Sequence, residues 1–289
     1  MNLVLLATTV LAHVARWVGA RIETRDGRET KVPYCAFDSQ RKASSTDPST
    51  WTTFNVARRA VDTELLPLVG FVLGDGFVGV DLDKCRNTET GAIEDWAQIV
   101  VEMLDAYTEA SVSGTGVHVI CRGALPPGRR RTGSIEMYDR DRFFVMTGDV
   151  IHSAPIADRT PALTKLHEVV FGSPVATTDP VDYGAADIRG MENVTETDVF
   201  QPLTDDEVLI HAASAANGEK FLALWRGDLS AYGDDHSSAD LALASILLSW
   251  TRGDRDQADR LFRQSNLVRS KWTDREDYRE RTFNKAVIS

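Results

Sequence analysis

Val80-Asp81-Leu82-Asp83 closes an apolar run and sets two carboxylates two residues apart. Side chains at that spacing on a strand share one face, so both acids project together. Like charges held side by side repel, and a hard divalent cation such as Mg²⁺ or Mn²⁺, which takes oxygen ligands, relieves the repulsion. Alone, the pattern also suits a solvated strand end, a sugar transferase or a nuclease. A second segment, Ser111-Val-Ser-Gly-Thr-Gly-Val-His118, sets two glycines and three hydroxyls between apolar runs. The backbone N–H groups of such a turn could cradle phosphate oxygens. The same residues also describe a turn followed by a core histidine at His118. A third segment, Gly133-Ser-Ile-Glu136-Met-Tyr138, puts one acid between apolar neighbours on a strand. Glu136 then either faces solvent or joins Asp81 and Asp83 in a three-carboxylate site for two metal ions.

The elements that must position these groups follow from periodicity. Leu3, Leu6, Val10, Val14 and Trp17 fall at helical spacing and predict a short core helix. That apolar run lacks the basic flank of a signal peptide and is too short to span a bilayer, which predicts a cytoplasmic chain with no membrane partner. Cys35, Cys85 and Cys121 show no CxxC pair or metal spacing, as expected of free thiols in a reducing compartment. RWVGARIET reads as a strand before an Asp26-Gly27 turn, residues 38–49 as a loop and 51–62 as a helix. GFVLGDGFVGVDLD reads as a hairpin about Asp75-Gly76. An amphipathic helix follows, with Ile93, Trp96, Val100, Leu104 and Tyr107 on one stripe. Strands are predicted around Ser111, over 117–122, and over 134–145 with a turn near Asp139. Thr160-Pro161 starts a helix. Residues 176–203 read as an acidic linker and 204–289 as a wholly helical module, with Thr204 as its first cap. The predicted fold class is therefore α+β: a catalytic domain over 1–175 built on a mixed or antiparallel sheet, then a small all-α bundle.

The chain of 289 residues carries a formal charge of -11, which excludes coating of nucleic acid by bulk electrostatics. Nucleic-acid contact must come from local bases. Arg129, Arg130 and Arg131 form the best cluster, between the histidine and the third acid, and a solvated surface turn is its plainer reading. Trp51 and Phe54 suit either core packing or stacking on bases.

In order and context the three acidic and histidine segments resemble the first, histidine and third motifs of the virus- and plasmid-type primase-polymerases, in the archaeo-eukaryotic primase superfamily. RDGRETKVPY, KASSTDPSTWTTF and RFFVMTG match as well, so the resemblance runs in order over residues 16–150. It implies a template-dependent nucleotidyltransferase acting on a single-stranded DNA template with NTP or dNTP substrates. Asp81, Asp83 and Glu136 would hold Mg²⁺ or Mn²⁺. His118, with Ser111, Ser113, Gly114, Gly116 and Arg142, would bind the triphosphate, and Lys31 and Lys42 would touch nucleic acid. Asn217-Gly-Glu-Lys-Phe, Ala239-Asp240 and residues 259–272 resemble the helix-bundle domain of these proteins, with Arg260, Arg263, Arg269 and Lys271 as a local positive face. The sequence departs from the family in having Val112 where relatives often carry proline. It has no GxxxxGK[ST] loop, so any unwinding is expected of a separate helicase, or of a longer chain of which this sequence would be a fragment. Two rivals stay open. One is a metal-dependent nuclease, although Tyr138 stands where an E-x-K site needs lysine. The other is a non-catalytic replication-initiation or single-strand-binding module.

Overall fold

A computed structural model describes residues 2–6, 9–172 and 202–286. By their contacts these form two units, one of residues up to 172 together with 209–222, the other of 202–208 and the residues from 223 onward. Most of the acidic stretch read as a linker lies outside the described residues.

The first unit opens with α1 (Leu3–Leu6) and a separate 3-10 turn over Val10–His13, where one continuous helix is predicted. Trp17 leaves the helical pattern and starts β1 (Trp17–Arg25); its indole is still fully buried and donates to Leu11 O at 2.8 Å. Asp26 and Gly27 turn the chain with φ of 50° and 75° into β2 (Arg28–Cys35). The stretch read as a loop begins with an edge strand, β3 (Asp38–Lys42), whose polar residues suit a mostly exposed edge. There follow α2 (Phe54–Asp62), β4 (Leu68–Val72), β5 (Phe77–Leu82), α3 (Asp95–Leu104), β6 (Tyr107–Ala110) and β7 (Val117–Arg122). The unit continues through β8 (Arg131–Thr132), β9 (Ile135–Tyr138), β10 (Phe143–Met146), β11 (Val150–His152) and α4 (Thr160–Phe171).

Two antiparallel sheets result, ordered β10-β4-β1-β2-β3 and β11-β6-β7-β5-β9-β8. The expected hairpin about Asp75-Gly76 is a corner instead, and the expected turn near Asp139 is present and also joins two sheets. β4 and β5 touch through one bridge, Gly74↔Phe77, and then enter different sheets, as do β9 and β10. Both edges of β4 are taken by β1 and β10, and both edges of β5 by β7 and β9, so neither strand has an edge left for the other. A turn signal between two apolar runs fixes the reversal but not the partner.

Trp17, Phe71, Phe77, Ile120 and Phe144 come from both sheets, and Phe54 from α2, into one apolar cluster. Along β5 the face turned to this cluster reads Phe77, Gly79, Asp81, because alternate side chains share a face. Gly79 must lack a Cβ, since one built there would lie 2.5 Å from the Phe144 ring. The inter-sheet space is thus apolar at Phe77 and becomes ionisable at Asp81.

The remaining helices are α5 (Asp205–Ser214), α6 (Gly218–Trp225), α7 (His236–Trp250), α8 (Arg255–Phe262), α9 (Ser270–Thr273) and α10 (Glu276–Ala286). Thr204 caps as predicted: its N–H donates to Glu207 Oε2 at 2.9 Å and its Oγ1 accepts from Glu207 N at 3.3 Å. Asp235 and Asp254 cap α7 and α8. Trp272 is the centre of the helical core, stacked on Phe262 at 3.5 Å and edge-on to Phe283. Among the described residues no helix is long and apolar enough to cross a membrane. All three cysteines are free and buried.

Candidate active site

The strand registers line up a row of ionisable residues across the second sheet. Glu109 on β6 faces His118 on β7, His118 faces Asp81 on β5, Asp81 faces Glu136 on β9, and Glu136 faces Arg131 on β8. Neighbouring strands lie about 5 Å apart, so such a row brings residues remote in sequence within reach of one another. His118 is 1% exposed, its Nε2 lies 3.7 Å from Asp81 Oδ1 and its Nδ1 4.0 Å from Glu109 Oε1. Phe144 from the other sheet stacks on the imidazole at 4.6 Å. The core-histidine reading and the site reading of His118 therefore describe one buried ring at the edge of an acidic cluster.

Asp83 sits one residue beyond β5, its N–H donating to Ser134 O at 2.8 Å. The Gly/Ser turn packs directly against this strand end. A Cβ on Gly116 would lie 2.5 Å from Leu82 O and 3.4 Å from Asp83 Cα. Gly114 holds a φ of 76°. Ser111, Ser113 and Thr115 form a hydroxyl chain with O···O distances of 3.0 and 2.9 Å, and Ser111 Oγ accepts from Gly116 N.

Charge is poorly neutralised here. Burial first, then the Asp83 and Glu136 charges, push the Asp81 carboxyl up to about 7, with Lys31 opposing. Asp83 is raised by burial and by Glu136. Burial, then the Lys31 charge, take His118 down to about 3. Lys31, expected at nucleic acid, is thus close enough to act on Asp81, Asp83 and His118 at once. Asp81 Oδ1 is buried with no hydrogen-bond partner. An unpartnered buried carboxylate oxygen beside two more acids fits a hard cation in its donor chemistry. Glu136 is engaged otherwise: Arg131 Nε lies 2.8 Å from Oε1, and Tyr138 O–H donates to Oε2 at 2.8 Å. Accordingly, no group of three or more His, Cys, Asp or Glu among the described residues is poised as it stands to hold a metal ion.

The basic candidates scatter. Arg142 lies over the Tyr138 ring at 4.8 Å, and Tyr138 in turn donates to Glu136. Arg130 donates to Pro126 O at 2.7 Å, Arg129 is exposed, and Lys42, on the edge strand of the first sheet, pairs with Glu23 at 3.7 Å. The three consecutive arginines therefore do not act as one patch. Phe54 is core, 1% exposed; Trp51 is half-buried beneath the Arg16 guanidinium. In the helical unit Arg260, Arg263 and Arg269 pair with Asp205, Asp259 and Asp240. The bases that line a cavity of about 400 Å³ are Lys271, Arg275, Arg281 and Lys285, around Tyr278. The residue that sequence reasoning missed is Glu109. The available signal was an acid two residues before Ser111 in a run that is otherwise strand-forming and apolar.

Residues 236–289 match the family model of the NrS-1 polymerase HBD domain. Over 274 residues, 92% of its length, the chain is 30% identical to the DNA Primase-polymerase of Nitratiruptor phage NrS-1. It spans about a third of that protein, 34%.

Proposed function

We propose, for a chain that belongs with the virus-type primase-polymerases, that this is the catalytic core of a template-dependent nucleotidyltransferase with an archaeo-eukaryotic primase-like fold. The reaction is attack of a 3′-hydroxyl on the α-phosphate of an incoming nucleotide, with pyrophosphate leaving, on a single-stranded DNA template of a replicating viral, proviral or plasmid element. The observation that carries this reading is the cross-strand row, which sets Asp81 between His118 and Glu136 with one oxygen unpartnered.

Asp81 and Asp83 would hold Mg²⁺ or Mn²⁺, and Glu136 would complete the set once Arg131 turns away. A divalent cation in that position supplies charge neutralisation for the attacking and leaving oxygens. His118 and the 111–116 turn lie at the same strand end, where an imidazole N–H and the Ser113 and Thr115 hydroxyls can take the β- and γ-phosphate oxygens; the Gly114 and Gly116 amides, expected as the phosphate cradle, donate instead within the turn, to Ser111 O and Ser111 Oγ. Arg131, released from Glu136, and Lys31 add positive charge where charge develops on the leaving group. Burial of His118 and Asp81 keeps water from competing for these contacts. The helical unit contributes its Lys271, Arg275, Arg281 and Lys285 surface to template or nucleotide. Any helicase partner would be a separate protein or a further part of a longer chain.

Labelled NTPs and dNTPs supplied with a single-stranded template and Mg²⁺ or Mn²⁺ test the proposal. Incorporation by the wild type, lost in Asp81→Ala and Asp83→Ala with the fold retained, is the expected result. Full synthesis by both variants would refute the site, and metal-dependent cleavage of the template without incorporation would make the protein a nuclease.

A further inference from the structure

Glu109 has no part in the chemistry above, yet it is 0% exposed and lies in the same row. A buried carboxylate survives only if its lone pairs are met. Oε2 accepts from Gly148 N at 2.9 Å and from the Tyr107 hydroxyl at 2.7 Å, whereas Oε1 accepts from Thr147 N alone, at 2.8 Å. The oxygen with spare capacity is the one that faces His118 Nδ1, and that nitrogen is buried without a partner. The gap of 4.0 Å is too long for a hydrogen bond. Closing it takes a ring movement of about 1 Å, small enough for a side chain stacked on a single phenyl ring. Nε2, on the other side of the ring, lies 3.7 Å from Asp81 Oδ1.

We propose that Glu109 is a positioning residue: it anchors His118 through Nδ1 when a nucleoside triphosphate engages the other side of the ring. The Thr147 and Gly148 amides and Tyr107 hold the anchor itself rigid. This inference rests on the reading of His118 as a triphosphate ligand.

A double-mutant cycle separates the two. Affinity is measured by calorimetry with a nucleoside triphosphate carrying a non-hydrolysable α,β linkage, in Mg²⁺, so that turnover does not enter. Glu109→Gln is expected to weaken binding roughly tenfold, the low end of what loss of an orienting carboxylate costs a metal-ligating histidine. In a His118→Ala background the same change should alter affinity by no more than about twofold. If His118→Ala binds like the wild type, the triphosphate reading falls and this proposal with it. If His118→Ala is weak while Glu109→Gln is not, only the anchor is wrong. An equal loss in both backgrounds would reduce Glu109 to scaffolding and overturn the proposal too. Should Glu109→Gln fail to fold, the imidazole ¹⁵N resonances of wild-type His118 decide: saturating nucleotide should move Nδ1 into the hydrogen-bonded range, and an unmoved resonance refutes the anchor.

Discussion

The two ends of β5 carry similar numbers of charges and treat them in opposite ways. At the Phe77 end a cavity of about 970 Å³ is lined by Arg16, Arg122 and Arg140 together with Asp75, Asp139 and Asp141. There the chain satisfies itself. Arg16 donates to Val72 O and Leu73 O, pairs with Asp75 and lies over Trp51. Arg122 donates to Asp75 O and covers Phe77, and Arg140 pairs with Asp139. Roughly 13 Å along the strand, at Asp81, three acids face Lys31 and Arg131 and one carboxylate oxygen has nothing. Unneutralised charge, not the size of a cavity, sets the proposed site apart. Such a deficit is what a site for an outside cation would present.

The two ends of β5 should differ most in synthesis. Asp81→Ala should lower incorporation by at least roughly a thousandfold, in line with loss of a group that holds transition-state charge. Arg122→Gln, at the self-satisfied end, should change incorporation less than about threefold while lowering stability by about 1–2 kcal/mol for its lost carbonyl and ring contacts. Primer extension and urea unfolding on both variants check this. Comparable losses of synthesis at the two ends would erase the distinction.

Gly79 lies between the ends and joins them. Gly79→Ala pushes a methyl into Phe144, which also stacks on His118, so stability should fall by about 1–3 kcal/mol and nucleotide affinity with it. Trimming the ring with Phe144→Leu in the same chain should recover part of the stability but not the stacking. Denaturation midpoints beside nucleotide binding would show whether the two effects separate.

These contrasts also show what the sequence makes legible. Asp81, His118 and Glu136 are each recognisable as candidates from spacing and motif, and their convergence follows from strand registers that no local pattern contains. The Asp75-Gly76 turn is legible as a reversal, yet it leads between sheets, because strand edges are allotted by distant partners. Charge clusters mislead in the same way. Arg129-Arg130-Arg131 looks like a patch in the sequence, but a strand and its approach send Arg130 to Pro126 O and Arg131 to Glu136. Glu109 was hidden because an acid inside a β-strand reads as surface unless its three donors, from Tyr107 and the 147–148 turn, are known.

Smaller in size is the stability that the deficit costs. The Asp81 carboxyl is raised from its ordinary 3.8 to about 7, so the folded state binds that proton more tightly than the unfolded chain. Stability is intact below the ordinary value, declines as pH rises between the two, and is lowest above the folded value. Removing the charge with Asp81→Asn should therefore stabilise the chelator-treated protein by on the order of 2 kcal/mol near neutral pH and above, and hardly at all in acid. Urea midpoints in EDTA at about pH 4 and about pH 8 provide the measurement. Adding Mn²⁺ should then stabilise the wild type and not the variant, by linkage to a cation that binds the folded state. The contrast with Asp75 sharpens the point: that carboxylate is 83% exposed and paired with Arg16, so Asp75→Asn should give no such gain at either pH. An Asp81→Asn protein no more stable than the wild type at high pH would mean that the row already holds its own counter-charge, and the two ends of the strand would no longer differ in kind.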